Sequence, residues 1–407
     1  MNPSLEETNP AMNDHAESKW RTSFRDWLTR TASSADDAAD AGIRKLRRRY
    51  GREGVPKIQP YMGYASADAI HLHGRVLTNP PLDPNYKSDR WWQNLNNTVG
   101  RFVSDEVPGV KVEATFDGLE ATATTDAEGY FHIKIPRTAK PDDAFWDMAR
   151  LRIVDHPKAR HATDRATCGV LTTPPDAKFA IISDVDDTIL HTGATDIAKM
   201  AKLTFFGNAR TRAPLDGVAK LYEELQRGID GEPANPIFYV SSSPWNLYDL
   251  LEDFLELNAI PRGPLLLRDL GFDDNKLLKS GHDHKLDKSR RLIETFDQLP
   301  FLLFGDSGQE DARLYAEAAK EFPNRIAGIF IRDVDPSLES EHDEKVDQYV
   351  RKAAAVGVPM YLVTDSVQAA EIAIEHGWLS PKVLDQIIEA TKRDRERTES
   401  KSESESS

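Results

Sequence analysis

The sequence predicts an α/β domain with a parallel sheet flanked by helices, preceded by a small all-β sandwich. Apolar segments alternate with helical patterns between about 174 and 381, as in α/β folds. The first of these segments, at 179–183, has no polar alternation, which is typical of a strand covered on both faces. Between 67 and 173, short segments instead alternate apolar and polar residues and are separated by turn residues, which predicts the sandwich.

Five apolar runs are the predicted strands of the parallel sheet. They are FAIIS at 179–183, PIFYV at 236–240, FLLFG at 301–305, IAGIFI at 326–331 and MYLVT at 360–364. The residues between them repeat apolar side chains at helical spacing, for example at Leu247, Leu251 and Phe254. Strands that alternate with helices are joined by right-handed crossovers, and their carboxyl ends meet at one edge of the sheet.

The predicted sandwich contains the segments HLHGRVL, GVKVEATFDG, ATATTDAEGYFHIKI, ARLRIVDH and CGVLTT. Val112, Ala114 and Phe116 alternate with polar residues, as expected of a half-buried strand. The TTDAEGYFHI stretch resembles a hairpin found in transthyretin-like and immunoglobulin-like accessory modules. The resemblance supports an accessory domain at 67–173, ahead of the predicted α/β domain at 174–381.

Both ends of the chain are polar. The N-terminal region, 1–66, is predicted to be partly disordered, with two basic helical patterns, one from Trp20 to Leu28 and one around Leu46 in RKLRRRYGR. These helices have two interpretations: contact with anionic lipid or packing on the following domain. Residues 382–407, which end in TKRDRERTESKSESESS, are predicted to be a disordered charged tail.

The composition of the chain limits the kinds of protein that it can be. Its 407 residues carry 52 Lys and Arg against 67 Asp and Glu, a net charge of −15 that disfavours broad nucleic-acid binding. No apolar run reaches the length of a membrane span, and the start lacks the order of a secretory signal. The expected location is therefore cytoplasmic, with peripheral contact at the inner face of the membrane if the N-terminal helices bind lipid. The single cysteine, Cys168, is predicted to be a core thiol.

Three carboxylates follow the first predicted strand within four positions. At a separation of about 4 Å, two such charges repel by roughly 4 kcal/mol at an effective dielectric of about 20. Asp184, Asp186 and Asp187 therefore require a positive partner at the carboxyl edge of the sheet. Asp306 in GDSGQED adds a carboxylate from another strand end. Hard oxygen ligands with room for water favour Mg²⁺.

The residue types around these acids suit phosphoryl transfer. An aspartate can be a nucleophile that forms an aspartyl-phosphate, and a second acid can protonate the leaving oxygen and then activate water. Ser241 follows PIFYV directly and is a candidate to bind phosphoryl oxygens, whereas Ser243 before Pro244 is predicted to cap a helix. Lys285 or Lys288 would supply a positive charge; spacing alone does not choose between them, and Lys285 is slightly favoured.

Four of these segments together resemble the signature motifs of the haloacid dehalogenase (HAD) superfamily of phosphatases. DVDDT fits its D-x-D-x-T motif, YVS its Ser/Thr motif, HKLDK its lysine motif and GDSGQED its G-D-x-x-x-x-D motif. The wider strings ISDVDDTIL, FYVSSSPWNLY, GHDHKLDK and FGDSGQED look like the catalytic domain of the actin-patch-protein type of phosphatidate phosphatase, distantly similar to lipins. The resemblance covers roughly 66–370. It departs from the family at Ala312, where a proline often follows the last aspartate.

The resemblance implies a HAD-like Rossmannoid fold, an Mg²⁺ cofactor and dephosphorylation of phosphatidate to diacylglycerol. It implies that Asp184 is the nucleophile and a metal ligand, and that Asp186 is the general acid/base and places its carbonyl on the metal. Asp306 and Asp311 would complete the metal site. The implied phosphate-binding residues are Thr188, Ser241, Ser242 and one of Lys285 and Lys288.

Two further hypotheses stay open from the sequence. The chain could be a HAD phosphatase of a soluble or protein phosphoester, or a noncatalytic module that binds lipid or protein on the same fold. The short interval between Thr188 and Ser241 leaves little room for a large cap domain. An uncapped site admits a lipid headgroup at an interface or a macromolecule, which favours a phospholipid substrate.

Overall fold

The structure is a computed structural model that describes residues 55–78, 106–137, 145–154, 156, 164–185, 216–232, 234–268, 283–308, 310–333 and 341–405. The predicted N-terminal helices lie outside these residues, as do Asp186, Asp187 and Thr188. The described elements form two sheets, one of seven strands and one of six.

The first sheet consists of β1 Lys57–Ala65, β2 Ala69–Leu77, β3 Lys111–Phe116, β4 Leu119–Thr124, β5 Tyr130–Pro136, β6 Trp146–Val154 and β7 Arg165–Thr172. Its strand order is β4-β3-β6-β7-β1-β2-β5. Strands β1 and β7 pair in parallel, and the other neighbours pair antiparallel. This sheet is called the β module below.

The sandwich predicted for this region is not confirmed, because all seven strands are linked by hydrogen bonds in one sheet. Strands β4 and β5, at opposite edges of the sheet, approach one another, so the sheet curves around its own core. The predicted alternation is confirmed, since Val112, Ala114 and Phe116 are buried. Cys168 lies in the same core, and burial raises the pKa of its thiol to about 12, which confirms the prediction of a buried thiol.

Strand β1 corrects the predicted domain boundary. The predicted N-terminal region extends to residue 66, whereas the β module begins at Lys57. Pro60 lies within the strand, and proline removes a backbone donor and weakens the sequence signal for a strand. The antiparallel pairing with β2 still includes Pro60, which lies opposite Gly74.

The second sheet consists of β8 Ala180–Asp184, β9 Ile237–Pro244, β10 Leu265–Arg268, β11 Phe301–Asp306, β12 Ile326–Arg332 and β13 Met360–Val363. Its order is β10-β9-β8-β11-β12-β13, and all pairs are parallel. Every residue of β8, β9 and β11 is buried, as predicted for strands covered on both faces. The five predicted strands are confirmed, and β10 is a short sixth strand that the sequence analysis missed.

Helices cover both faces of the second sheet and confirm the predicted parallel sheet flanked by helices. They are α1 Val218–Arg227, α2 Tyr248–Leu257, α3 Asp283–Thr295, α4 Asp311–Glu321, α5 Glu341–Ala354, α6 Ser366–Glu375 and α7 Leu384–Glu405. One core cluster packs α1, α2, α6 and α7 on one face, and another packs α3, α4 and α5 on the other. No helix among the described residues is long and apolar enough to cross a bilayer.

The prediction that 382–407 is disordered is wrong for helix α7. Ile387 and Thr391, on the inner side of this helix, are buried. The Asp394 carboxylate accepts a hydrogen bond from the Gly217 N–H at 3.0 Å, and the Arg395 guanidinium contacts the Asp365 carboxylate at 2.8 Å. The disorder prediction rests on the polar composition of the last residues, whereas these contacts join segments that are far apart in the sequence.

We expect Ile387→Ala to lower the free energy of unfolding by about 2–5 kcal/mol, because it leaves a cavity where Ile387 is fully buried. Ile388→Ala is the matched control, since Ile388 is 41% exposed, and its expected effect is within about 0.5 kcal/mol. Urea unfolding of both variants measures the difference. Equal effects would mean that α7 does not pack on the sheet.

Candidate active site

Three fully buried aspartates meet at the carboxyl edge of the second sheet. Asp184 is the last residue of β8, Asp306 is the last residue of the neighbouring β11, and Asp311 begins α4. Each has a relative exposure of 0%. One carboxylate oxygen from each lies within 4.8 Å of the others. The structure therefore brings together three of the residues singled out by the sequence, and Asp186 lies outside the described residues.

Lys285 lies among these carboxylates. It is in the first turn of α3 and 2% exposed, with its Nζ 2.7 Å from Asp184 Oδ1 and 3.1 Å from Asp311 Oδ1. Lys288 is on the same helix, half-buried, and acts electrostatically on His284. Of the two lysines that spacing left open, Lys285 is thus the one in contact with the aspartate cluster.

Gly305 lets the backbone of β11 approach Asp311. A Cβ at position 305 would lie 2.6 Å from Asp311 Cβ and 2.8 Å from Asp311 Oδ2, which is closer than side chains pack. The Asp306 N–H donates a hydrogen bond to Asp311 Oδ2 at 3.3 Å. The first glycine of the GDSGQED segment, Gly305, is therefore required by close packing behind the carboxylates.

The backbone at Asp184 is held by two residues that the sequence analysis did not identify. Ser183 Oγ donates to the Asp184 carbonyl oxygen at 2.8 Å and lies 2.8 Å from Tyr222 Oη on α1. Burial raises the pKa of the Tyr222 hydroxyl well above its ordinary value, so it stays protonated. Ser183 lies between two apolar neighbours and the acids, and nothing local in the sequence points to its partner on α1.

The serines of the SSSPW segment form the end of β9, beside β8. Ser241 and Ser243 are fully buried, and Ser242 is 7% exposed. The Ser243 N–H donates to Ser241 Oγ at 2.9 Å. The prediction that Ser243 caps a helix is wrong: Ser243 belongs to the strand, and Pro244, in extended conformation, precedes the single helical turn Trp245–Leu247.

His284 connects α3 to the serine segment. Desolvation, with contributions from the positive charges of Lys288, Arg268 and Lys285, lowers the pKa of His284 to about 3. A hydrogen bond to the backbone of Ser241 opposes this shift. The imidazole is therefore neutral at pH 7 and adds no charge beside the end of β9.

The donor set fits a divalent cation. Three buried carboxylates carry like charges, and Lys285 offsets one of them. Within the part of the chain that the structure describes, this is the one group of three or more His, Cys, Asp or Glu side chains spaced to hold a metal ion. All three offer carboxylate oxygens, which are the ligands that Mg²⁺ prefers. The cluster is therefore a candidate metal centre at the end of the buried strands.

Comparisons with known proteins find a family and relatives that match the region containing this site. Residues 179–333 match the family described as "Phosphatidate phosphatase APP1, catalytic domain", which confirms the resemblance noted in the sequence. Phosphatidate phosphatase APP1 of Saccharomyces cerevisiae is 29% identical over 265 residues, which cover 62% of this chain and 43% of that protein. An uncharacterized protein of Schizosaccharomyces pombe is 27% identical over 247 residues, covering 58% of this chain and 39% of that protein.

The chain thus spans less than half the length of these two relatives. Among solved structures, a carbohydrate acetylesterase from Xanthomonas citri shares 12% identity with a TM-score of 0.24, and the alignment covers 72% of this chain and 71% of that one. A similarity of this size supports no conclusion about fold or activity.

Proposed function

On the premise that residues 179–333 are a catalytic domain of the APP1 phosphatidate phosphatase type, we propose that this chain is an Mg²⁺-dependent phosphatase that converts phosphatidate to diacylglycerol. The observation that carries the proposal is the convergence of Asp184, Asp306 and Asp311 with Lys285 in one buried cluster. The fold that we assign to the second sheet is HAD-like, with the β module as its accessory domain.

Asp184 is the nucleophile in this proposal. Its carboxylate oxygen forms a bond to phosphorus while the phosphorus–oxygen ester bond to the glycerol breaks, which gives an aspartyl-phosphate. Lys285, 2.7 Å from Asp184 Oδ1, orients the carboxylate and adds positive charge where the phosphoryl oxygens arrive. Asp306 and Asp311, with Asp184 and the Asp186 carbonyl, would hold Mg²⁺, which stabilises negative charge on the phosphoryl group when bound.

Asp186 is the general acid/base, as the resemblance implies. It gives a proton to the departing glycerol oxygen, so that diacylglycerol leaves as an alcohol. It then takes a proton from a water molecule that attacks phosphorus, the bond between phosphorus and Asp184 breaks, and phosphate is released. The two half-reactions together consume one water and regenerate both carboxyl groups.

Phosphate binding is assigned to Ser241, Ser242, Thr188 and Lys285. Ser241 and Ser242 lie near the end of β9, just beyond the residue that pairs with Asp184, so their hydroxyl and N–H groups are at the same edge as Asp184. Lys288 is placed outside the phosphate contacts in this proposal, because it lies half-buried on α3 beside His284. A phospholipid substrate also requires the site to reach a membrane surface, and the basic N-terminal segments, predicted from sequence to be helical, are our candidates for that peripheral contact at the cytoplasmic face.

The test is Mg²⁺-dependent phosphate release from a panel of substrates. We expect release from phosphatidate in mixed micelles that is abolished by a chelator and restored by Mg²⁺. Soluble phosphomonoesters, with and without anionic vesicles, are the comparison, and their expected turnover is lower. Turnover of soluble esters or phosphopeptides with none of phosphatidate would reject the lipid substrate and leave a phosphatase of soluble or protein phosphoesters.

A further inference from the structure

Trp245 follows Ser243 and Pro244 at the end of β9, and aromatic side chains of the β module pack against it. Tyr61 on β1 stacks on Trp245 with ring centroids 4.5 Å apart and an interplanar angle of 21°. His73 on β2 contacts Trp245 at 4.5 Å. Tyr61 and His73 are direct partners in the pairing of β1 with β2. We call Tyr61, His73 and Trp245 the aromatic clamp.

A β-bulge in β1 shapes the side of the β module that contacts Trp245 and α2. Tyr61 pairs with His73 and Tyr64 pairs with His71, so β1 has one more residue than β2 between these pairs. The Met62 N–H is thereby turned outward and donates a hydrogen bond to Tyr248 Oη at 2.9 Å. A Cβ at Gly63 would lie 2.6 Å from the His71 carbonyl oxygen, so the bulge requires glycine there.

The contact continues from Trp245 into helix α2. Gln59 Nε2 donates to Asp249 Oδ1 at 2.9 Å, and Tyr61 also contacts Tyr248 at 4.6 Å between ring centroids. Tyr61, Trp245 and Tyr248 are 3%, 6% and 2% exposed. Strand β1 therefore contacts Trp245 and the start of α2, which follow the serines, through stacking and hydrogen bonds.

We propose that Tyr61 and His73 are positioning residues, and that the β module acts as part of the catalytic unit by fixing Trp245 and hence the backbone of Ser241 to Ser243. The assignment rests on the proposed function, in which those serines bind phosphate. They lie at the end of a strand that must present hydroxyl and N–H groups to a phosphoryl group. A displacement of about 1 Å in such groups can reduce turnover about 100-fold.

The chemistry of His73 suits a packing role. Desolvation, together with nearby His132, Lys288 and Arg291, lowers the pKa of His73 to about 3. Its ring is thus neutral near pH 7 and packs on Trp245 as an uncharged aromatic group. An aromatic replacement should therefore preserve the contact, whereas alanine should release one face of Trp245.

The experiment compares His73→Ala and Tyr61→Ala with the conservative variants His73→Phe and Tyr61→Phe in the full chain. His376→Ala is the matched control, because His376 stacks on Trp378 at 4.6 Å in another part of the fold. Two properties are measured: kcat and KM for phosphate release, and amide hydrogen exchange in Ile237–Leu247, with β8 and β11 as internal references.

We expect each alanine variant to lower kcat about 10- to 100-fold with KM changed by less than about threefold, and each phenylalanine variant to restore most of the loss. Amides after Val240 should exchange at least about tenfold faster, while β8 and β11 keep their protection. Loss of protection throughout the sheet, or a kcat decrease no larger than that of His376→Ala, would overturn the proposal. Because hydrogen exchange needs no substrate, unchanged exchange after Val240 would overturn it even if phosphatidate proves to be the wrong substrate.

Discussion

Asp184→Asn is expected to reduce phosphate release from phosphatidate by roughly 10⁴-fold or more, because an amide cannot form the aspartyl-phosphate. The change keeps the size of the side chain and removes one of three buried negative charges. The variant should remain folded, since Lys285 keeps Asp311 as a partner at 3.1 Å. Steady-state phosphate release and a thermal unfolding curve of the same preparation measure both effects.

Asp230→Asn is the control for this substitution. Asp230 is exposed in the turn after α1, and we expect its replacement to leave phosphate release unchanged. A chain with Asn at position 184 that keeps more than about a tenth of wild-type activity would show that Asp184 is not the nucleophile. If the wild-type chain binds lipid but releases no phosphate from any substrate, the noncatalytic hypothesis is supported instead.

Lys285→Met is expected to lower the free energy of unfolding by about 3–5 kcal/mol, the usual cost of leaving buried charges without their partner. The ammonium contacts Asp184 and Asp311 at 2.7 and 3.1 Å, and all three side chains are shielded from water. Without it, repulsion among the three carboxylates is no longer offset. Urea unfolding in the presence of a chelator measures the loss, and added Mg²⁺ should recover part of it.

Lys288→Met is the matched control, because it makes the same change one turn further along α3 on a half-buried side chain. Its expected effect on the free energy of unfolding is below about 1 kcal/mol. A similar loss in both variants would contradict the placement of Lys285 within the cluster. The pair of variants therefore tests which of the two lysines that the sequence motif leaves open is paired with the aspartate cluster.

Much of the second sheet could be predicted from sequence because its strands are buried on both faces. Continuous apolar runs such as 301–305 are typical of such strands, and acids that follow them are expected at the carboxyl edge. The meeting of Asp184 with Asp306 follows from that rule. Strand β10 was missed because its run of leucines is short and gives no periodicity.

The features that the sequence did not reveal depend on contacts between distant segments. The pattern of β1 is weakened by Pro60, and its partners on β2 and β7 decide its conformation. Helix α7 looks disordered by composition, yet Arg395 and Asp394 bind groups on other elements. The aromatic clamp likewise joins two strands of the β module to Trp245, and each of its residues is ordinary in its local context.

The central claim is that the aspartates bind a divalent cation so that Asp184 can accept a phosphoryl group. Its most direct test uses beryllofluoride as a mimic of the phosphoryl group. We expect Mg²⁺ and beryllofluoride together to raise the melting temperature of the wild-type chain by several degrees, with a much smaller effect from either alone. Asp184→Asn should abolish the shift. Equal stabilisation of Asp184→Asn and the wild-type chain would contradict the account, whatever the phosphoester substrate.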